Sequence, residues 1–240
     1  MKNCIVSAYY KIPSKQPHEW YLPYLLHWFI TIRGHIIFFT TLDVVEELKC
    51  YVDLSHVKFY ILPFEELIAN LKGIEFWNRQ YARDVERYHS PQLGMIWYEK
   101  RHFIYKAMQL DTEADVFIWC DAGCIRDSLS AELGKYLGTR NLDVNNNKIH
   151  LQLVNQFIAK NFYTFPDSFI AGAIICGNRT AWLEYIRIYE LVLDEYDKEE
   201  ISGLSDQHVT NRCIMLNSSL FQLYPNATQV NIWFKFLELL

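Results

Sequence analysis

The sequence contains no low-complexity tract and no internal repeat. It lacks the glycine-based fingerprints G-x-x-x-x-G-K-[ST], G-x-G-x-x-G and G-x-S-x-G. A P-loop, a Rossmann dinucleotide loop and a hydrolase nucleophile elbow are therefore without support. No H-E-x-x-H sets up a metalloprotease zinc. Excess positive charge is absent too: Lys plus Arg number 23 against 28 Asp plus Glu, a net charge of −5. A nucleic-acid partner, which needs dense positive charge, is not expected. The most apolar stretch, 21–30, is interrupted by Pro23 and His27 and is too short for a transmembrane segment. The first twelve residues hold an early lysine and no long apolar run, so no signal peptide is expected, and a cytoplasmic location is the default expectation. In that setting the sequons at Asn178, Asn217 and Asn226 would go unused. The six cysteines are scattered, and the C-x3-C spacing of Cys120 and Cys124 has no second pair to complete a zinc knuckle. They read as small buried hydrophobes of a reducing compartment.

What the chain does have is apolar and aromatic mass. Hydrophobic residues make up 51% and charged residues 21%, which excludes intrinsic disorder. The 240 residues favour one domain over 1–240 with a sizeable core. Aromatics reach 16%. Most of these rings serve a dense core, and some are available to stack on planar ligands or sugar faces. Segments 4–10, 35–40, 57–62, 116–120 and 169–176 read as strands. Segments 20–31, 42–51, 92–110 and 180–196 read as helices, the last with apolar residues at 182, 185, 186, 189, 192, 193 and 196. The polar segment 138–148 reads as a loop. Strands alternating with helices predict an α/β fold with a mostly parallel central sheet flanked by helices.

Four features could carry chemistry. In 117–123 an apolar strand delivers Asp121 to its own end, followed by the small residues Ala122 and Gly123. A carboxylate there suits Mg²⁺ or Mn²⁺; the same residue would equally cap the next turn. The run Ser205-Asp206-Gln207-His208 offers an acceptor, an amide and an imidazole, or simply a helix N-terminus. Lys100 falls inside the apolar stripe at 93, 96, 97, 103, 104, 107 and 108. It must snorkel or meet an anion, and a diphosphate is one such anion. Gly172, inside a strand-like run, admits close approach by backbone or ligand.

Taken in order, these residues resemble the GT-A class of nucleotide-sugar glycosyltransferases, and more narrowly the HtrL/YibB family. The likeness rests on Val6-Ser7-Ala8-Tyr9-Tyr10, Tyr98-Glu99-Lys100, 117–123, and 169–177 followed by 205–211. It implies a GT-A-like domain that moves a hexose or deoxyhexose from a nucleoside-diphosphate sugar to a glycan acceptor with help from Mn²⁺ or Mg²⁺. Under it, Ala8, Tyr9 and Tyr10 line the nucleotide pocket, and Lys100 faces the diphosphate. Asp121, Ala122 and Gly123 occupy the D-x-D position, and Gly172 flanks the sugar. Asp206 and Gln207 match the late D-Q pair, where Asp206 would act as base or as stabiliser of the sugar cation. Gly123 stands where that motif has its second Asp. The ion would then be held by Asp121 with His208 or Asp127 helping, or Asp121 would bind ribose instead. The same departure motivates the alternative of an inactive nucleotide-sugar-binding module. A phosphoesterase would show more clustered histidines and carboxylates.

Overall fold

The structure is a computed structural model and describes residues 2–86, 89–137, 146–155 and 169–225. Asn226 and most of the loop expected over 138–148 lie outside the described residues. Strands β1 (Asn3–Ala8), β2 (Ile36–Thr40), β3 (Val57–Ile61), β4 (Val116–Cys120), β5 (Ile149–Gln152), β6 (Ile174–Asn178) and β7 (Phe221–Tyr224) form one sheet, ordered β3-β2-β1-β4-β6-β5-β7. The β3-β2-β1-β4 block is parallel throughout, and β5 is parallel to β7. Only β6, among the described strands, runs against its neighbours β4 and β5. The expectation of a mostly parallel sheet with flanking helices therefore holds.

The helices are α1 (His18–Thr31), α2 (Leu42–Lys49), α3 (Ile74–Ala82), α4 (Pro91–Leu110), α5 (Ser128–Gly134), α6 (Arg179–Lys198) and α7 (Asp206–Leu216). A strand's side chains alternate between faces, and the central strands are buried on both. Cys4, Val6, Phe117 and Trp119 point into one core, which α4, α6 and α7 cover. Ile5, Val116, Ile118 and Cys120 point into the other, beneath α1 and α2. Strands buried on both faces read as continuous apolar runs, which explains why β1, β2 and β4 stand out in the sequence. Among the described residues, no helix is long and apolar enough to cross a membrane.

The helix α4 is the main internal strut. Ser90 caps it by accepting from the Leu93 N–H at 3.1 Å, and Pro91 occupies the first turn. Its buried Glu99 accepts the N–H groups of Ile68 (3.1 Å) and Ala69 (2.9 Å), so this carboxylate orders the 3-10 turns over 64–72. A second link joins α4 to α6. Glu190 meets His102 at 3.2 Å and Lys72 at 3.2 Å. Burial alone would raise the Glu190 carboxyl. Hydrogen bonds from His102 and Tyr98, with the charge of Lys72, override this and bring it down from 4.5 to about 2.

A depressed acid stabilises the folded state where it is ionised. The Glu190 contribution should be fully present above about pH 4.5 and vanish as pH falls toward 2. We expect Glu190→Gln to cost on the order of 2 kcal/mol near neutrality. The gap between its Tm and that of wild type should close on acidification. A gap that stays constant across this range would show that Glu190 acts by packing alone.

The segment expected as a single strand over 169–176 is divided. Ile170 makes an isolated bridge to Leu153, and the ladder resumes only at Ile174. The residues between use their backbone elsewhere. Ala173 O accepts the Asp121 N–H at 2.8 Å, and Gly172 O accepts from the Lys100 ammonium at 2.9 Å. Apolar composition marks the segment as buried, while the polar partners that break its ladder come from distant parts of the chain.

Candidate active site

The parallel strands β1 and β4 end side by side, and in such sheets the crevice beyond the strand ends collects ligands. A cavity of about 690 Å³ opens there. Ala8, Tyr9, Tyr10, Lys100, Asp121, Ala122, Gly123, Gly172, Asp206 and Gln207 all line it. Residues from five separate stretches of sequence thus meet in one place.

Three charges form the floor. The Lys100 Nζ lies 3.2 Å from Asp121 Oδ1 and 3.0 Å from Asp206 Oδ2, with Gly172 O completing its three donors. Lys100 is only 3% exposed, so it does not snorkel to solvent. Desolvation by itself would lower its ammonium; the two carboxylates outweigh that and hold it protonated. Two acids against one base leave a net negative charge. Burial first, then the nearby Asp206, raises the Asp121 carboxyl above its ordinary value, against the pull of Lys100 and the Trp119 indole.

Each carboxylate has a local reason to be there. Asp121 follows the last residue of β4, and its Oδ1 also accepts from the Trp119 Nε1 at 2.7 Å. Its Oδ2 has no protein partner among the described residues, and the side chain is 35% exposed. A hard oxygen atom therefore faces the cavity, which is the donor that Mn²⁺ or Mg²⁺ takes alongside waters and substrate phosphates. Asp206 is the first residue of α7, where the helix dipole favours negative charge. Gly172 lets it sit close: a Cβ at that position would lie 3.1 Å from Asp206 Oδ2. Gln207 donates from Nε2 to Ile170 O at 2.5 Å, fixing α7 against the interrupted strand.

The other expected residues separate. Tyr10 is buried, donates its hydroxyl to Leu62 O at 3.0 Å and stacks on Phe103, so its ring belongs to the core. Tyr9 is half-buried. Its hydroxyl pairs with His18 Nδ1 at 2.7 Å, and His18 in turn meets Glu47 at 3.1 Å. His208 is not among the residues lining the cavity. Two positions along a helix rotate a side chain by roughly 200°, which turns His208 away from the side that Asp206 presents. Asp127 does not help at Asp121 either: its carboxylate caps α5 by accepting the Ser130 N–H at 2.7 Å.

The missing second carboxylate leaves room behind it. A Cβ at Gly123 would meet only Arg126 Nη2, at 3.9 Å. Arg126 donates to Gly123 O at 2.9 Å and lies over the rings of Trp20 and Tyr24. Arg126, Trp20, Trp97, Lys15 and Lys11 also line the cavity and carry no sequence signature that would single them out.

The single mostly parallel seven-stranded sheet with flanking helices is a GT-A-type fold. A solved structure of mouse xyloside xylosyltransferase 1 in its apo form is similar over 93% of this chain and 85% of that one, with a TM-score of 0.52 and 12% identity. A glycosyltransferase involved in the glycosylation of the major capsid of PBCV-1 aligns over 94% of this chain and 82% of that one, with a TM-score of 0.43 and 12% identity. No protein-family model and no curated protein sequence matches the chain, so the likeness to the HtrL/YibB family rests on the motif stretches alone.

Proposed function

We propose that this protein is a glycosyltransferase whose single domain moves a hexose or deoxyhexose from a nucleoside-diphosphate sugar to a glycan acceptor. The observation that carries this reading is the Asp121–Lys100–Asp206 triad on the cavity floor, at 3.2 and 3.0 Å. Asp121, through its open Oδ2, would hold a divalent ion, with the remaining ligands supplied by diphosphate and water. When bound, that ion neutralises charge on the departing diphosphate. Tyr9, fixed through its hydroxyl by His18, presents the half-buried ring for the base, while Tyr10 only walls the pocket.

In this reading Lys100 is a positioning residue, since its three donors are engaged by protein acceptors. It holds the metal-side carboxylate and the sugar-side carboxylate at a fixed separation. Asp206 acts at the sugar. In an inverting transfer it accepts the proton of the acceptor hydroxyl; in a retaining one it stabilises the oxocarbenium-like carbon. The anomer of the product distinguishes the two. A cytoplasmic setting would keep Cys120 and Cys124, whose Sγ atoms are 3.3 Å apart beside Asp121, as thiols.

The test is a panel of nucleotide sugars with Mn²⁺, monitored for free nucleoside diphosphate and for thermal shift. We expect one donor class to raise the Tm and to be slowly hydrolysed even without acceptor. A thermal shift without any release, with or without added glycans, would instead support a binding module, the reading that Gly123 favours.

A further inference from the structure

Three donor atoms from separate elements converge at the end of the sheet opposite the cavity. Cys4 lies at the start of β1, His35 just before β2, and Asp111 just after α4. Their Sγ, imidazole nitrogen and carboxylate oxygen all lie within 4.8 Å of one another. Cys4 and Ala8 stand at opposite ends of β1, roughly 13 Å apart at a strand's rise per residue, so this group is separate from the Asp121 floor.

His35 Nε2 and Asp111 Oδ2 are 2.7 Å apart, the separation of an imidazole–carboxylate ion pair. Asp111 Oδ1 is already committed to the backbone N–H groups of Glu113 at 3.1 Å and Ala114 at 3.2 Å. That commitment fixes the carboxylate and leaves Oδ2 facing the imidazole and the thiol. The Cys4 Sγ makes only a 4.0 Å approach to the Ile5 carbonyl. The pair and the weakly engaged sulfur bring a nitrogen, an oxygen and a thiol to one point, and a small separation of the pair would admit an ion between them.

We propose that Cys4, His35 and Asp111 form a zinc site, with water as the fourth ligand. The donor set argues for this ion. Thiolate and imidazole suit Zn²⁺, whereas Mg²⁺ and Mn²⁺ prefer oxygen alone. The thiolate and the carboxylate balance its two charges; the thiol proton is released to solvent on binding. Cys4 is fully buried, but His35 is 36% exposed at its side chain and provides the entry path. Lys2 lies 3.7 Å from Asp111 Oδ1 and already reaches Glu113 at 3.1 Å, so it can withdraw to that exposed partner; Arg179 is held at the Asp111 backbone carbonyl, 3.1 Å from its oxygen. The bound ion would tie the starts of β1 and β2 to the end of α4, the helix that carries Lys100.

The test uses the intact protein, stripped with chelator and titrated with Co²⁺ or Zn²⁺. We expect one ion per chain. Cobalt should give a thiolate-to-metal charge-transfer band and the intense visible bands of a tetrahedral site. Zinc at a hundredfold excess over its Kd should raise the Tm by about 5–10 °C. Cys4→Ser should abolish the charge-transfer band. His35→Gln, with its fold checked by circular dichroism, should weaken zinc binding at least tenfold. Asp121→Asn should leave the bands in place. The absence of a charge-transfer band in wild type would overturn the site. So would a band that survives Cys4→Ser, full zinc affinity in His35→Gln, or a band that is lost with Asp121→Asn.

Discussion

Replacing Lys100 by methionine is expected to cost about 3–5 kcal/mol of stability, the usual consequence of removing one partner from a buried ion pair. The side chain is 3% exposed and stands between two carboxylates. Methionine keeps the length and apolar stem, so the loss isolates the charge. In Lys100→Met, Asp121 and Asp206 face each other without a counter-ion, and one of them must take up a proton or the two must move apart. For a chain of this size the Tm should fall by roughly 10 °C or more. The check is chemical unfolding of the single variant beside the triple variant Lys100→Met, Asp121→Asn, Asp206→Asn. Removing all three charges together should restore most of the stability, because an apolar or neutral replacement of a whole buried cluster is often close to neutral. If the single variant is as stable as wild type, the triad is not a buried charge cluster at all. If the triple variant is worse than the single, the carboxylates contribute through something other than Lys100.

Asp206→Asn is expected to lower kcat by roughly 10²–10⁴, the range for a positioned acid–base group, while the Kd for the nucleotide sugar moves less than about threefold. Asparagine preserves the size of a side chain that Gly172 allows into a tight space, and it can still accept from Lys100. What it loses is the charge, which matters most in the transition state. The measurement is single-turnover transfer alongside donor binding. Collapse of donor affinity with preserved turnover of the bound donor would make Asp206 a binding residue. Equal loss of both would mean that α7 had shifted, which circular dichroism and the Tm report independently.

The cavity floor also shows how far the sequence could be read. Asp121 and Lys100 were visible because each breaks a pattern: a carboxylate closing an apolar strand, and a lysine inside an apolar helical stripe. Their pairing was not visible. The contact needs α4 laid against the end of β4, with α7 bringing Asp206 alongside, and nothing local in these elements specifies that. The same limit hid Gly172 O as a lysine acceptor and split the expected 169–176 strand. β1, β2 and β4 were legible because burial on both faces leaves an unbroken apolar run. β5 and β7, at four residues each, are too short to show a period. α3 was missed because residues 74–82 mix Glu75, Asn78, Arg79 and Gln80 among the rings, although Gln80 is itself buried and its Oε1 accepts the Gly203 N–H at 2.7 Å. His208 lies outside the cavity lining, since adjacency in sequence to Asp206 is not adjacency on a helix.

The central claim is that the open Oδ2 of Asp121 brings a divalent ion and a nucleotide sugar together in the cavity at the end of β4. Calorimetry of donor binding at fixed Mn²⁺, for wild type and Asp121→Asn, with a melting curve on each, tests it most directly. Asparagine keeps the size and the capping ability of the residue but not its charge. The account predicts a folded variant that loses Mn²⁺-dependent donor binding and transfer together. A folded Asp121→Asn protein that binds donor with Mn²⁺ as tightly as wild type, and transfers at the same rate, would contradict it.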